Sequence, residues 1–172
     1  MKIYFDMDGV LADFQSMSPD TANFNHPMDK LDDEMRAAKT AFWQSIEKNN
    51  HFWRDIPLMP GAEDMLKAAQ SVGEIFILSK APSARYFITG QKYIDFVATE
   101  KRKWILKHLG SFFDAEHIIV CDKKKGAFKH PTNDDILVDD RPENITEWNE
   151  HGGRGILYTN AANTANEILA YK

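Results

Sequence analysis

Four short apolar runs punctuate the chain: KIYF, EIFILS ending at Ser79, HIIVC ending at Cys121 and DILVDD ending at Asp140. A fifth, RGILYT, follows near the C-terminus. Each is near-continuously apolar rather than alternating, which predicts strands buried on both faces. Helical patterns lie between them. PGAEDMLKAAQSVG places Pro60 near a first turn and Gly73 just past an end, and EKRKWILKHLG closes on Gly110. PENITEWNEHGG puts Pro142 at a helix start and Gly152 after its end, and TANEILAYK reads as the last helix. Strands alternating with helices predict an α/β domain with a parallel sheet flanked by helices.

Ligands of such sheets bind beyond the carboxyl ends of the strands. Those ends carry Asp6 and Asp8, Ser79 and Lys80, Cys121 and Asp122, then Asp139 and Asp140. One segment breaks the rhythm. Residues 15–58 hold no clear strand, and KLDDEMRAAKTAFWQSIEKNN reads as one amphipathic helix. The expected organisation is a core of 1–14 and 59–172 with a small helical cap, 15–58, inserted after the first strand. The cap brings Phe24, Phe42, Trp43, Phe52 and Trp53. These aromatics form the insert's own small core, wall a pocket over the strand ends, or do both.

At 172 residues and 43% hydrophobic, the chain is expected to form one domain with a real core. Its net charge of −5 gives no overall basic field for nucleic acid or an anionic membrane, so neither is expected as a stable partner. Cys121 is the single cysteine, which precludes an internal disulfide and fits a cytoplasmic setting. The N-terminus shows no signal-peptide pattern, and no apolar run approaches the ~20 residues of a membrane span.

One aspartate after a strand is most simply the cap of the next helix. Four acids at the ends of two separate strands strain that reading, because crowded carboxylates repel unless a cation sits among them. A few hard oxygen ligands suit Mg²⁺, which takes its remaining ligands from water and substrate phosphate. The pattern therefore points to a Mg²⁺-assisted phosphate site.

The motif DMDGVLADF resembles the first motif of the haloacid dehalogenase (HAD) superfamily of phosphotransferases. Ser79 after its strand resembles the second motif, and ILVDDRPEN the fourth. Within the superfamily the chain is most similar to the 5′(3′)-deoxyribonucleotidases, through DGVLADF, FWRDIPLMPGA, EKRKW with HLG, and VDDRPEN. The resemblance implies a Rossmann-like HAD fold and a phosphoric monoester hydrolase of (deoxy)nucleoside monophosphates. It implies Asp6 as the nucleophile forming an aspartyl-phosphate, and Asp8 as general acid and then base. It further implies a Mg²⁺ held by Asp6, the Asp8 main-chain carbonyl and Asp140, with Asp139 bridging through water or orienting its neighbours. Ser79 would donate to the phosphate oxygens. These roles require Asp6 ionised and Asp8 protonated at the start.

A family lysine is expected shortly before the acidic strand. CDKKKGAFKHPTNDD offers Lys123, Lys124, Lys125 and Lys129, of which Lys125 is the best match and Lys123 the next. Lys101 in EKRKW matches a second family lysine near the substrate phosphate; the competing reading is an exposed helix residue. Phe14 and Trp43 are expected at the base, and Lys80 stands where the family carries a smaller residue. ILSKAPSARYFITGQKYIDFVATEKRKW is longer than expected, and its loop with Arg85, Tyr86 and Lys92 could add phosphate contacts or alter what binds. Rival readings are a phosphatase of sugar phosphates or nucleic-acid 3′ phosphates, and a non-catalytic phosphate or nucleotide binder. A homodimer is left open.

Overall fold

The computed structural model describes residues 1–17, 32–49, 51–121, 132 and 134–172. Five strands form one parallel sheet in the order β3-β2-β1-β4-β5. They are β1 (Lys2–Phe5), β2 (Glu74–Lys80), β3 (Ile118–Cys121), β4 (Ile136–Asp139) and β5 (Arg154–Leu157). All five apolar runs are strands. The chain starts at the centre, builds outward to β3, then returns to place β4 on the other side of β1. The switch point of the sheet therefore falls between β1 and β4, where Asp6 and Asp139 emerge. The Asp6 N–H donates to the Val138 carbonyl at 2.9 Å, which carries the ladder one residue past β1.

Helices α4 (Ala62–Gln70), α5 (Gln91–Leu109) and α7 (Ala161–Leu169) bury against one face, on Ile3, Phe5, Ile75, Ile77, Ile136, Val138 and Ile156. Helix α6 (Pro142–Glu150) covers the other, with Trp148 against Tyr4, Leu78 and Leu137. Burial on both faces holds throughout β4, but Tyr4 and Phe76 remain half-buried, stacked on each other at 5.2 Å. Among the described residues only α6 packs on that face, and it sits over β4 and β5.

Three helix starts differ from expectation. Gly61, with φ +79°, caps α4 in place of Pro60, a conformation that favours glycine. Helix α7 starts at Ala161, because the Asn160 side chain accepts from the Asn163 N–H at 2.9 Å. Helix α5 starts at Gln91, so much of the stretch that looked like a long loop is its first half. Lys92 thus lies in the first turn of a helix.

The segment after β1 holds α1 (Phe14–Met17), α2 (Asp33–Lys48) and α3 (Phe52–Asp55). Asp32 caps α2 by accepting from Met35 N–H at 2.8 Å. The segment leaves and rejoins the sheet side by side. Ala12 bridges Leu58, Asp13 N–H donates to Pro57 O at 2.8 Å, and Met59 N–H donates to Leu11 O at 2.8 Å. Further bonds tie it down. The Glu47 carboxylate accepts from Ile88 N–H (2.7 Å) and Thr89 N–H (2.9 Å), and Trp104 Nε1–H donates to Ile56 O at 2.7 Å. Tyr93 Oη donates to Ile46 O at 3.1 Å and accepts from Trp53 Nε1–H at 3.2 Å. No helix among the described residues is long and apolar enough to cross a membrane.

Candidate active site

The chain turns tightly after β1. Leu11 and Ala12 N–H both donate to Met7 O, at 2.9 and 2.8 Å, and Gly9 N–H donates to Ala12 O at 2.9 Å. Gly9 holds φ +83°, and a Cβ there would lie 2.8 Å from Asp140 Cγ. Glycine is thus needed twice, for the left-handed backbone and for the close approach of Asp140. The turn sends Asp6 and Asp8 in different directions.

Asp6 faces the end of β4. One carboxylate oxygen from each of Asp6, Asp139 and Asp140 falls within 4.8 Å of the others. Asp6 and Asp139 are buried and Asp140 is more open. Asp6 also accepts from Met7 N–H at 2.8 Å. Asp139 is held by α6. Its oxygens accept from Asn144 Nδ2 at 2.9 Å each, and one accepts from Arg141 N–H at 2.9 Å. Gly9 and Asp140 border an open cleft of about 470 Å³, with Tyr158 and Asn160 on its far wall.

Asp8 turns instead to Lys101. That lysine projects from the inward face of α5 and is fully buried. Its ammonium donates to the Asp8 carboxylate, to Ser79 Oγ at 3.0 Å and to Lys80 O at 2.9 Å. An ammonium has three N–H bonds, and three acceptors meet them. That satisfaction is what makes burial of the charge tolerable. The charge also lies 5.2 Å from the centre of the Trp53 ring. Lys101 is therefore not the exposed helix residue of the alternative reading. Ser79, fully buried near the end of β2, joins the same cluster.

Above these groups lies an aromatic wall. Phe14 packs on Trp43, Phe52 and Trp53, with ring centres 6.1, 5.4 and 5.9 Å away. Trp43 stacks on Trp53 at 6.5 Å and on Tyr86 at 6.2 Å. Its Nε1–H is buried and has no hydrogen-bond acceptor among the described residues.

Of the expected site residues, Asp6, Asp8, Ser79, Lys80, Lys101, Asp139 and Asp140 are thus brought together at the carboxyl ends of the central strands, and Phe14 and Trp43 sit on the adjoining wall. Lys123, Lys124, Lys125 and Lys129 lie outside the described residues, as does Phe24. Sequence reasoning missed Asn144, which holds Asp139, and Glu100, which is buried on α5 and pairs with Lys103 at 2.8 Å and Arg54 at 3.6 Å. It also left Lys101 undecided, although the signal was there. Lys101 stands four residues after Val97 and three before Trp104, on the stripe that α5 buries.

Comparison with known proteins agrees with the fold and with the motifs. Residues 1–169 match the family described as 5′ nucleotidase, deoxy (Pyrimidine), cytosolic type C protein. The mitochondrial 5′(3′)-deoxyribonucleotidase of Mus musculus is 26% identical over 183 aligned residues, covering 95% of this chain and 74% of that protein. A haloacid dehalogenase-like family hydrolase from Streptococcus pneumoniae superposes with a TM-score of 0.58 at 17% identity, covering 99% of this chain and 97% of that one. A HAD hydrolase of family IA, variant 3, from Entamoeba histolytica gives 0.53 at 18%, covering 99% and 89%. With its sheet order, its acidic switch point and a family match over almost its whole length, the chain belongs to the type C deoxy 5′-nucleotidase family, phosphoric monoester hydrolases of the HAD superfamily.

Proposed function

We propose that the protein is a Mg²⁺-dependent phosphomonoesterase of (deoxy)nucleoside monophosphates that works through an aspartyl-phosphate on Asp6. The observation that carries this reading is the division of labour at the end of β1: Asp6 faces Asp139 and Asp140, while Asp8 pairs with Lys101, whose ammonium also bonds Ser79. The first group offers hard oxygen donors at one point, which fits Mg²⁺. Asp6, Asp140 and the Asp8 main-chain carbonyl would hold the ion, with Asp139 positioned by Asn144. When bound, it would neutralise phosphoryl charge and act as a Lewis acid.

The chain's own residues do the rest. A phosphoryl group enters between the two clusters and takes hydrogen bonds from Ser79 Oγ–H and the Lys101 ammonium. Its negative charge competes with Asp8 for that ammonium and favours the protonated carboxyl. A carboxylate oxygen of Asp6 attacks phosphorus, the bond from phosphorus to the nucleoside oxygen breaks, and Asp8 gives its proton to that oxygen. Asp8, now a carboxylate, takes a proton from the water that attacks the aspartyl-phosphate. Phosphate leaves and Asp6 is restored. Lys125 is the further lysine this scheme would use, with Lys123 next. The 15–58 segment acts as a cap, with Phe14 and Trp43 as stacking faces for the base and Lys80 at the rim.

The test is a substrate panel with Mg²⁺ and with chelator. Thymidine and deoxyuridine monophosphates should outrun glucose phosphates and 3′-phosphorylated oligonucleotides, and only with the metal. The reverse order would remove the nucleotidase reading. Absence of any metal-dependent turnover in a folded protein would favour a phosphate binder. Asp6→Asn should abolish turnover and spare the fold.

A further inference from the structure

The cleft of about 470 Å³ beside Gly9 and Asp140 is separate from the pocket under the aromatic wall: it is lined by neither Phe14, Trp43 nor Trp53, and by neither Ser79 nor Lys101. Its other walls include Asp13 and Gln15 around the start of α1, and Tyr158, Thr159 and Asn160 on the link from β5 to α7. The cleft meets the acidic corner at one residue. Asp6 and Asp139 are buried. Asp140, with a carboxylate oxygen within 4.8 Å of theirs, is the most open of the three and lines the cleft.

Charge sorts what can travel there. Among the described residues the lining holds two carboxylates, Asp13 and Asp140, and no lysine, arginine or histidine. The start of α7 sets only about half a positive charge against them. A cation is therefore drawn in and a phosphate turned away. Approach between the two clusters has the opposite character, because it passes the Lys101 ammonium, buried beside Asp8 and Ser79. Space suffices as well, since the six-water shell of a small divalent ion corresponds to about 180 Å³ of liquid.

We infer that this cleft is the port through which a hydrated divalent cation reaches and leaves Asp6, Asp139 and Asp140, so that ion and phosphomonoester use different openings. The ion begins to shed water at Asp140, the first carboxylate of the corner that it meets. The inference rests on the metal reading above and not on which ester is the substrate.

The probe is Mn²⁺, which the same oxygen donors suit. Calorimetry gives its dissociation constant, and stopped-flow mixing of the loaded protein with excess fluorescent chelator gives its release rate; together they give the uptake rate. Thr159→Phe with Gln15→Phe, both at exposed positions, narrows the cleft without removing a carboxylate. An obstacle on a route raises the barrier in both directions, so uptake and release should each slow about tenfold while the dissociation constant stays within about twofold. Asp13→Asn keeps an acceptor for the Ser16 N–H at 3.1 Å and removes one charge. It should slow uptake about threefold at low salt and have little effect near about 1 M salt. Parent-like rates in the narrowed protein would overturn the port. So would faster release with weaker binding, which marks damage to the corner rather than a blocked route. Circular dichroism checks the fold, and single Thr159→Phe and Asp13→Asn carry the test should the double variant not fold. Absence of Mn²⁺ binding to the parent is the separate failure of the metal reading, and removes the port with it.

Discussion

Replacing Lys101 with methionine tests the centre of the proposed mechanism. Methionine is nearly as long and keeps the buried channel filled, so the change removes chiefly the charge and three N–H donors. The three acceptors respond differently. The Asp8 side chain is 28% exposed, so water can replace the lost ammonium there. The Ser79 hydroxyl can rotate, while the Lys80 carbonyl loses the Lys101 N–H. One unsatisfied buried group costs about 1–3 kcal/mol. Breaking a wholly buried ion pair costs about 3–5 kcal/mol. Access of water to Asp8 places Lys101→Met near the lower range, about 1–3 kcal/mol in unfolding free energy. Turnover should suffer more. The ammonium is aimed where phosphoryl charge would gather, and removing one such donor typically costs about 10²–10³ in kcat. The assay is steady-state release of phosphate from thymidine monophosphate with saturating Mg²⁺, alongside urea unfolding. The expected pattern is a fall in kcat larger than the rise in KM. A kcat/KM within about threefold of the parent would refute the role. Lys101→Arg should not rescue, because a guanidinium is too wide for a fully enclosed slot.

Gly9→Ala would strain a left-handed backbone by about 1–2 kcal/mol and push on Asp140, so half-maximal activity should require more Mg²⁺; an unchanged metal titration would contradict the close packing. Tyr93→Phe strands the Trp53 indole N–H, while the Ile46 carbonyl keeps the Asn49 N–H at 2.9 Å, and should cost about 1–3 kcal/mol in urea unfolding; a loss below about 0.5 kcal/mol would show the link to be idle. His117 is held above its ordinary pKa chiefly by its hydrogen bond to Asp114 at 2.6 Å, with Glu74 adding at 3.3 Å. The charged form is thus favoured by folding, and this stabilisation is complete below about pH 6.5 and fades as pH rises through the raised value. The Tm deficit of His117→Ala should therefore shrink from about pH 6 to pH 8, and a constant deficit would oppose the assignment.

The acids were legible in the sequence because strand ends are local. A run of β-formers followed by a polar pair announces both the strand and its functional end, and Asp6, Ser79 and Asp139 stand where those runs stop. The sheet order was not written in any single run, since it depends on which strand the chain returns to after β3. Lys101 illustrates a different difficulty. A lysine on an apolar stripe is normally a solvated residue with its stem packed, and only the acceptors supplied by Asp8, Ser79 and Lys80, from two other segments, make burial of the head tolerable. Asn144 was hidden for a related reason. Its effect is on Asp139 rather than on any ligand, and an amide in the first turn of a helix has many ordinary explanations.

Helix α5 runs without a break from Gln91 to Leu109. Its first turn carries Tyr93, fastened to Ile46 and Trp53, and two turns further along the same rod carries Lys101. A rigid rod has one orientation, so the seating of α2 and α3 against Tyr93 and the reach of the buried ammonium form a single mechanical degree of freedom. A displacement of α2 and α3 would therefore also shift that positive charge relative to Asp8 and Ser79.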